Sequence, residues 1–242
     1  MSTATTPSVG NATTRFAGAT GVPSDRIAAL SGLAFVALAI GQNIIRVATA
    51  APNDARSVSI IAHFVDHREA ELVLAATVVG GAFALALFVG HLWTRLARGA
   101  ERGWAQAGII GVMGIFAIFP LLVACEVALL VITGRPSAGP DAVETLWALH
   151  NAVFTVNLTA LAVATLGLSV AALRGNLLPR AFRIIGPLAA GLLTLGALFG
   201  PQIAAGNAKP IFALSGLGYI GWLSVVAVIS VQLLRAPQRD VA

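Results

Sequence analysis

The chain has 242 residues, 57% of them hydrophobic and only 10% charged, with a mean hydropathy of +0.88 and a formal net charge of +5. An average soluble domain carries about 25% charged residues, so this chain has too little polar surface to coat a water-soluble globule. Its length is expected to hold one compact helical bundle without room for a large soluble domain, and its positive charge is not expected to mark a nucleic-acid surface. The arginines sit at the ends of apolar runs instead of forming a stripe, as topology signals do.

In chain order, residues 1–25 are rich in Ser, Thr, Ala and Gly without an apolar core, and are expected to form a disordered cytoplasmic tail. They lack the ordered charged, apolar and cleavage regions of a signal peptide. Six apolar segments follow, over 27–50, 71–94, 105–133, 145–173, 184–205 and 211–234. Each reaches the roughly 20 residues that a helix needs to cross about 30 Å of hydrocarbon. The alternating strands of about 10 residues that build a membrane β-barrel do not occur. The expectation is therefore an all-α membrane bundle of six spans over 26–236, with a second short tail over 237–242. Gly80-Gly81, Pro120, Pro187 and Pro201 fall inside spans, where close packing or kinks accommodate them.

The basic residues orient the bundle. Ten of the 15 Lys and Arg lie at the termini and in the loops after the second and fourth spans, and five lie on the other side. The positive-inside rule then places both termini in the cytoplasm. The first outer loop contains Ile60, Ile61, Phe64 and Val65 at helical spacing, so a short amphipathic helix over 58–65 is expected along the outer membrane surface.

Counting 1.5 Å per residue assigns depths to the polar residues within the spans. Glu126 falls ~10 Å outward of the middle of the third span and Arg46 ~12 Å outward of the middle of the first. Gln42 and Asn43 lie one turn deeper than Arg46 on the same helix face. His150 falls ~13 Å outward of the middle of the fourth span, with Asn151 beside it and Asn157 near the centre. Gln202 is expected at a similar outer depth. These residues, Gln42, Asn43, Arg46, Glu126, His150, Asn151, Asn157 and Gln202, are the candidate ligand-binding set. A charge in a membrane interior costs roughly 2.5–3.5 kcal/mol at the centre and less toward the interface, so such groups face inward and pair. Glu126 is expected to pair with Arg46, with His150 and the amides completing the hydrogen bonds.

Other chemistries find little support. His63 and His67 have a metal-compatible spacing, yet only two histidines are present there and no HExxH glutamate lies between them. The alternative is a solvated cap formed with Asp66, Arg68 and Glu69. Cys125 is the only cysteine, so no intrachain disulfide or zinc-type cluster forms. Haem held between His91 and His150 is disfavoured because the two fall at opposite ends of the bundle. No GxSxG elbow or phosphate-binding GxxxxGK[ST] loop occurs. No cofactor or metal is expected.

The stretches IIAHFVDHREAELVLAA, LFVGHLWTRL and LWALHNAVFTVNLTALAVATLGLSVAALRGNLLPR resemble a group of six-span actinobacterial membrane proteins of unassigned function. The family-like residues include His67, His91, His150, Asn151 and Arg180. The Ala- and Arg-rich, Lys-poor composition fits a high-GC bacterium. The resemblance implies the fold and a plasma-membrane location and carries no activity over. Three functional expectations stand together. The first is a membrane protein that binds or moves a small or lipid-like molecule through an outward-facing polar pocket. The second is a membrane-embedded enzyme acting on a lipid or isoprenoid, with Glu126 as acid or base and His150 as its partner. The third is a structural subunit holding a closed ion pair. The partners implied are the lipid bilayer, a small-molecule or lipid ligand and, through small-residue faces, a second copy of the chain.

Overall fold

The computed structural model describes residues 25–235 apart from 50, 52, 98, 100 and 136–138. The two expected tails fall outside the described residues, except that Asp25 already begins the first helix. Among the described residues the chain is all-helical: α1 (Asp25–Thr49), α2 (Ser57–Asp66), α3 (Arg68–Leu96), α4 (Arg102–Thr133), α5 (Pro140–Arg174), α6 (Phe182–Leu198), α7 (Gly200–Ala204) and α8 (Lys209–Arg235). Five of them, α1, α3, α4, α5 and α8, are long and apolar enough to cross a membrane.

The segment expected as one span over 184–205 is two helices. Phe199, at φ −95° and ψ 17°, interrupts the ladder, and Pro201 sits in the first turn of α7. A proline there sacrifices no intrahelical hydrogen bond. Pro120 and Pro187 lie inside α4 and α6 without ending them.

The central helix is α5, whose most apolar 18-residue stretch is 67% buried, against 22% for that of α1. Around it, large apolar side chains such as Val47, Phe83 and Ile110 face outward. Water would penalise such a surface and hydrocarbon does not. The α4–α5 contact is built on small residues: a Cβ at Gly111 would lie 2.2 Å from Ala164 N, and one at Gly167 would lie 2.2 Å from Gly108 N. Only glycine permits the two backbones to approach so closely. Gly221 likewise sets α8 against Ala189 of α6, whereas Gly80 and Gly81 meet only ordinary contacts with Leu38 and Phe35.

The amphipathic helix expected in the first long loop is α2, and its apolar face turns onto the bundle. Ile60 and Phe64 pack with Leu129 and Leu130 of α4 and with Val143 and Trp147 of α5. These side chains offer a preformed apolar floor, so the helix becomes a cap, leaving Val58 and Val65 exposed. The backbone N–H of Ser57 donates to Glu144 Oε1 at 2.9 Å, which anchors the start of α2 to α5. At the opposite end of the bundle, Asp25 accepts from Arg95 Nη1 at 2.7 Å and pairs with His91 Nε2 at 2.5 Å. From Asp25 to Arg46, α1 rises ~31 Å, so His91 and the cap-end residues are far apart.

Candidate functional site

Arg46 and Glu126 form the centre of the cap end. The Arg46 guanidinium donates from Nη1 to Glu126 Oε1 at 2.6 Å and from Nη2 to Oε2 at 3.0 Å. This two-pronged geometry is the strongest arrangement available to the two groups. The Glu126 side chain is 3% exposed and that of Arg46 is 28% exposed, so the carboxylate is enclosed while the cation borders open space. Because α1 packs chiefly on α3 and α8, Arg46 must reach across a gap to α4.

The third member is His150 on α5, whose Nε2 lies 3.0 Å from Glu126 Oε1. Its Nδ1 lies 3.3 Å from Asn151 Oδ1, and the ring stacks on Trp147 with centroids 5.0 Å apart and planes 4° apart. The Asn151 Nδ2 donates to Asn53 O at 3.2 Å, and Asn53 Nδ2 donates to Ile203 O at 3.0 Å. A continuous polar chain thus joins α1, α4, α5, the first loop and α7. Each buried polar group in it has a partner, which is what makes its burial affordable.

The neighbouring amides serve α1. Gln42 Nε2 donates to Thr77 Oγ1 of α3 at 2.9 Å. Asn43 Nδ2 donates to Ala39 O at 2.8 Å and to the Tyr219 hydroxyl at 3.4 Å. Asn157 is buried two turns below His150, apart from the chain of hydrogen bonds. Gln202 lies on α7 at the cap end, where the neighbouring Ile203 O accepts from Asn53, but its side chain is exposed while Ile203 is buried, so it stands outside the polar chain.

Three adjoining chambers follow this arrangement. The outermost, of ≈ 280 Å³, lies under α2 and is bordered by Arg46, Glu126, His150, Asn151, His63 and Glu71. The middle one, of ≈ 160 Å³, shares Asn43, Arg46 and His150 with it and extends to Gln42, Asn157 and Tyr219. The deepest, of ≈ 90 Å³, shares Gln42, Asn157 and Tyr219 with the middle chamber and is otherwise mostly apolar.

Glu71 is among the site residues that the sequence reading missed. His63 Nε2 lies 3.0 Å from Glu71 Oε1, both side chains are buried, and both border the outermost chamber. The pair bridges the α2–α3 junction at His67, so it has no single-helix periodicity to reveal it. Arg68 Nη1 pins the same junction by donating to Leu130 O at 2.9 Å. His63 is therefore engaged by a carboxylate, and among the described residues no three of His, Cys, Asp and Glu are grouped as metal ligands. Trp147 was also missed, although its three-residue spacing from His150 places both on one helical face.

The arrangement can bind a polar group in competition with its internal hydrogen bonds, or pass a proton between imidazole and carboxylate. Both ring nitrogens of His150 face oxygen acceptors, Glu126 Oε1 and Asn151 Oδ1, and among the described residues no hydroxyl or thiol is hydrogen-bonded to it. Comparison of the chain with family models, curated proteins and solved structures finds no match.

Proposed function

We propose that this chain is a six-span plasma-membrane protein that binds or moves a small or lipid-like molecule through an outward-facing polar pocket. In this reading α6 continued by α7 makes the sixth crossing, both termini are cytoplasmic, and α2 lies on the outer side. The arginine distribution supports that orientation. The resemblance to six-span actinobacterial proteins agrees with the span count and the location.

One observation carries the binding reading. Arg46 is paired with Glu126, yet both border a chamber of ≈ 280 Å³ that leads to two more. An ion pair serving only to lock helices together needs no cavity beside it, and a cavity forfeits packing contacts. The second reading, an enzyme acting on a lipid or isoprenoid, rests on the His150–Glu126 hydrogen bond as its acid–base element. Its mark is turnover of a lipid that stops in Glu126→Gln.

Native mass spectra of protein released from mild detergent test the proposal, wild type beside Glu126→Gln. The expected result is an organic mass bound to the wild type and lost from the variant. Ligand-free spectra from both proteins, with the variant merely less stable, would transfer the ion pair to a structural role.

A further inference from the structure

Glu71 holds one carboxylate oxygen in use and one free. His63 Nε2 engages Oε1 at 3.0 Å, and among the described residues none donates a hydrogen bond to Oε2. Glu71 is only 5% exposed, and it borders the outermost chamber. Among the described residues, the unpartnered side-chain atoms sealed from all accessible space are His91 Nδ1, Asn157 Oδ1, Ser169 Oγ and Trp222 Nε1. Glu71 Oε2 is not one of them, so it keeps accessible surface, and the chamber is the space beside it. An ionised carboxylate only accepts hydrogen bonds, and burying one with an acceptor site unfilled is costly.

The charges around this chamber do not balance. Among the described residues it is bordered by Arg46, Glu71 and Glu126, so with neutral imidazoles the carboxylates exceed the cations by one. Glu126 engages both prongs of the Arg46 guanidinium. Arg68, one turn before Glu71, donates to Leu130 O instead. Glu71 is thus left with a histidine as its side-chain partner and no permanent cation. A cation that also donates a hydrogen bond is the occupant that stabilises such a group most. An anionic ligand would meet two carboxylates beside one guanidinium that is already engaged. Beyond Glu71 the walls turn aromatic. Phe154 and Phe212, with ring centroids 6.0 Å apart, border both the outermost and the middle chamber, and Phe119 continues the wall to the deepest one. Aromatic rings accept an apolar chain and attract a cation.

We propose that the outermost chamber is an ammonium-recognition site and that the ligand is a protonated amine with an apolar chain. Its N–H donates to Glu71 Oε2, and its charge restores the balance of the chamber. Its chain passes Phe154 and Phe212 into the middle chamber. This inference rests on the ligand-binding reading above and specifies its ligand class.

The test uses the purified protein in phosphatidylcholine nanodiscs with three photoreactive probes that share one octyl chain and a mid-chain diazirine: the primary amine, the alcohol and the carboxylic acid. At neutral pH the amine is protonated, as a lysine side chain is. Labelled residues are mapped by mass spectrometry and normalised to Phe83, which faces outward from the bundle. The amine is expected to label Phe154 and Phe212 about tenfold more than the alcohol, because it brings a counter-charge as well as a hydrogen bond, and the acid is expected to label them least. Glu71→Gln keeps the shape and the acceptor for His63 while removing the charge, so it is expected to fold and to reduce amine labelling to the alcohol level. An amine preference that survives in Glu71→Gln would overturn the assignment. Should that variant not fold, the wild-type comparison still decides: equal labelling of the chambers by amine and alcohol, or preferred labelling by the acid, would overturn ammonium recognition and leave the ligand-binding reading standing. Labelling of the chambers by none of the probes would overturn the amine site, and the bound mass in native spectra decides the broader reading separately.

Discussion

Arg46→Ala is expected to destabilise the bundle by about 3 kcal/mol, and adding Glu126→Gln to the same chain is expected to recover most of that loss. The asymmetry comes from burial. Glu126 is 3% exposed, so removing the guanidinium leaves a carboxylate with His150 as its remaining side-chain partner. Replacing the carboxylate by an amide of the same shape removes the orphaned charge. The loss is placed at the low end of the range for broken buried pairs because the Arg46 side chain is 28% exposed and the site borders a chamber. Reversible unfolding in mixed micelles measures all four corners of the cycle. Equal losses in Arg46→Ala and in the double variant would mean that the two groups do not depend on each other.

Gly111→Val is expected to be as damaging, for a reason of shape alone. A Cβ there would meet Ala164 N at 2.2 Å, Ala164 Cα at 2.7 Å and Ala160 O at 2.8 Å, all of them backbone atoms that cannot rotate away. The helices must separate, at a cost of about 3 kcal/mol, the upper part of the usual range for overpacking. Gly167→Val attacks the same contact from the facing helix, through Gly108 N at 2.2 Å. Gly41→Ala is the control. A Cβ at that position meets nothing within 4 Å, and in a helix interior alanine gains roughly 0.5–1 kcal/mol over glycine. Thermal unfolding of the three variants in detergent separates the two effects. A Gly111→Val protein as stable as the wild type would show that α4 and α5 do not rely on this approach.

The helices were legible wherever hydropathy alone decides them. The segments over 27–50, 71–94, 105–133, 145–173 and 211–234 match α1, α3, α4, α5 and α8 within a few residues at their ends. The break at Phe199 was not legible, because the residues on both sides are equally apolar and hydropathy does not sense backbone geometry. Gln202 stays at the cap end with an exposed side chain, which a count of depth alone does not reveal. Arg46, Glu126 and His150 were legible as a group because ionisable residues within apolar helices need partners, and few candidates lie at that depth. Glu71 was hidden because its partner His63 belongs to another helix, and its position at the start of a span made it look like a boundary residue. The docking of α2 onto the bundle was hidden too. An apolar face reads the same whether it meets lipid or Trp147, and only the tertiary arrangement of α4 and α5 decides between them.

The claim on which the functional account depends is that the polar chambers open toward the outside of the membrane. Thr49 borders the outermost chamber at the end of α1, and Cys125 is buried. A Thr49→Cys substitution in a Cys125→Ser background therefore gives a single reporting thiol. Intact cells expressing this variant, treated with a membrane-impermeant maleimide, provide the most direct measurement. The account predicts labelling in intact cells and its loss when the outer face has been blocked beforehand with an impermeant thiol reagent. Labelling that appears only in inverted vesicles would place the cap and its ion pair on the cytoplasmic side and contradict the outward-facing site.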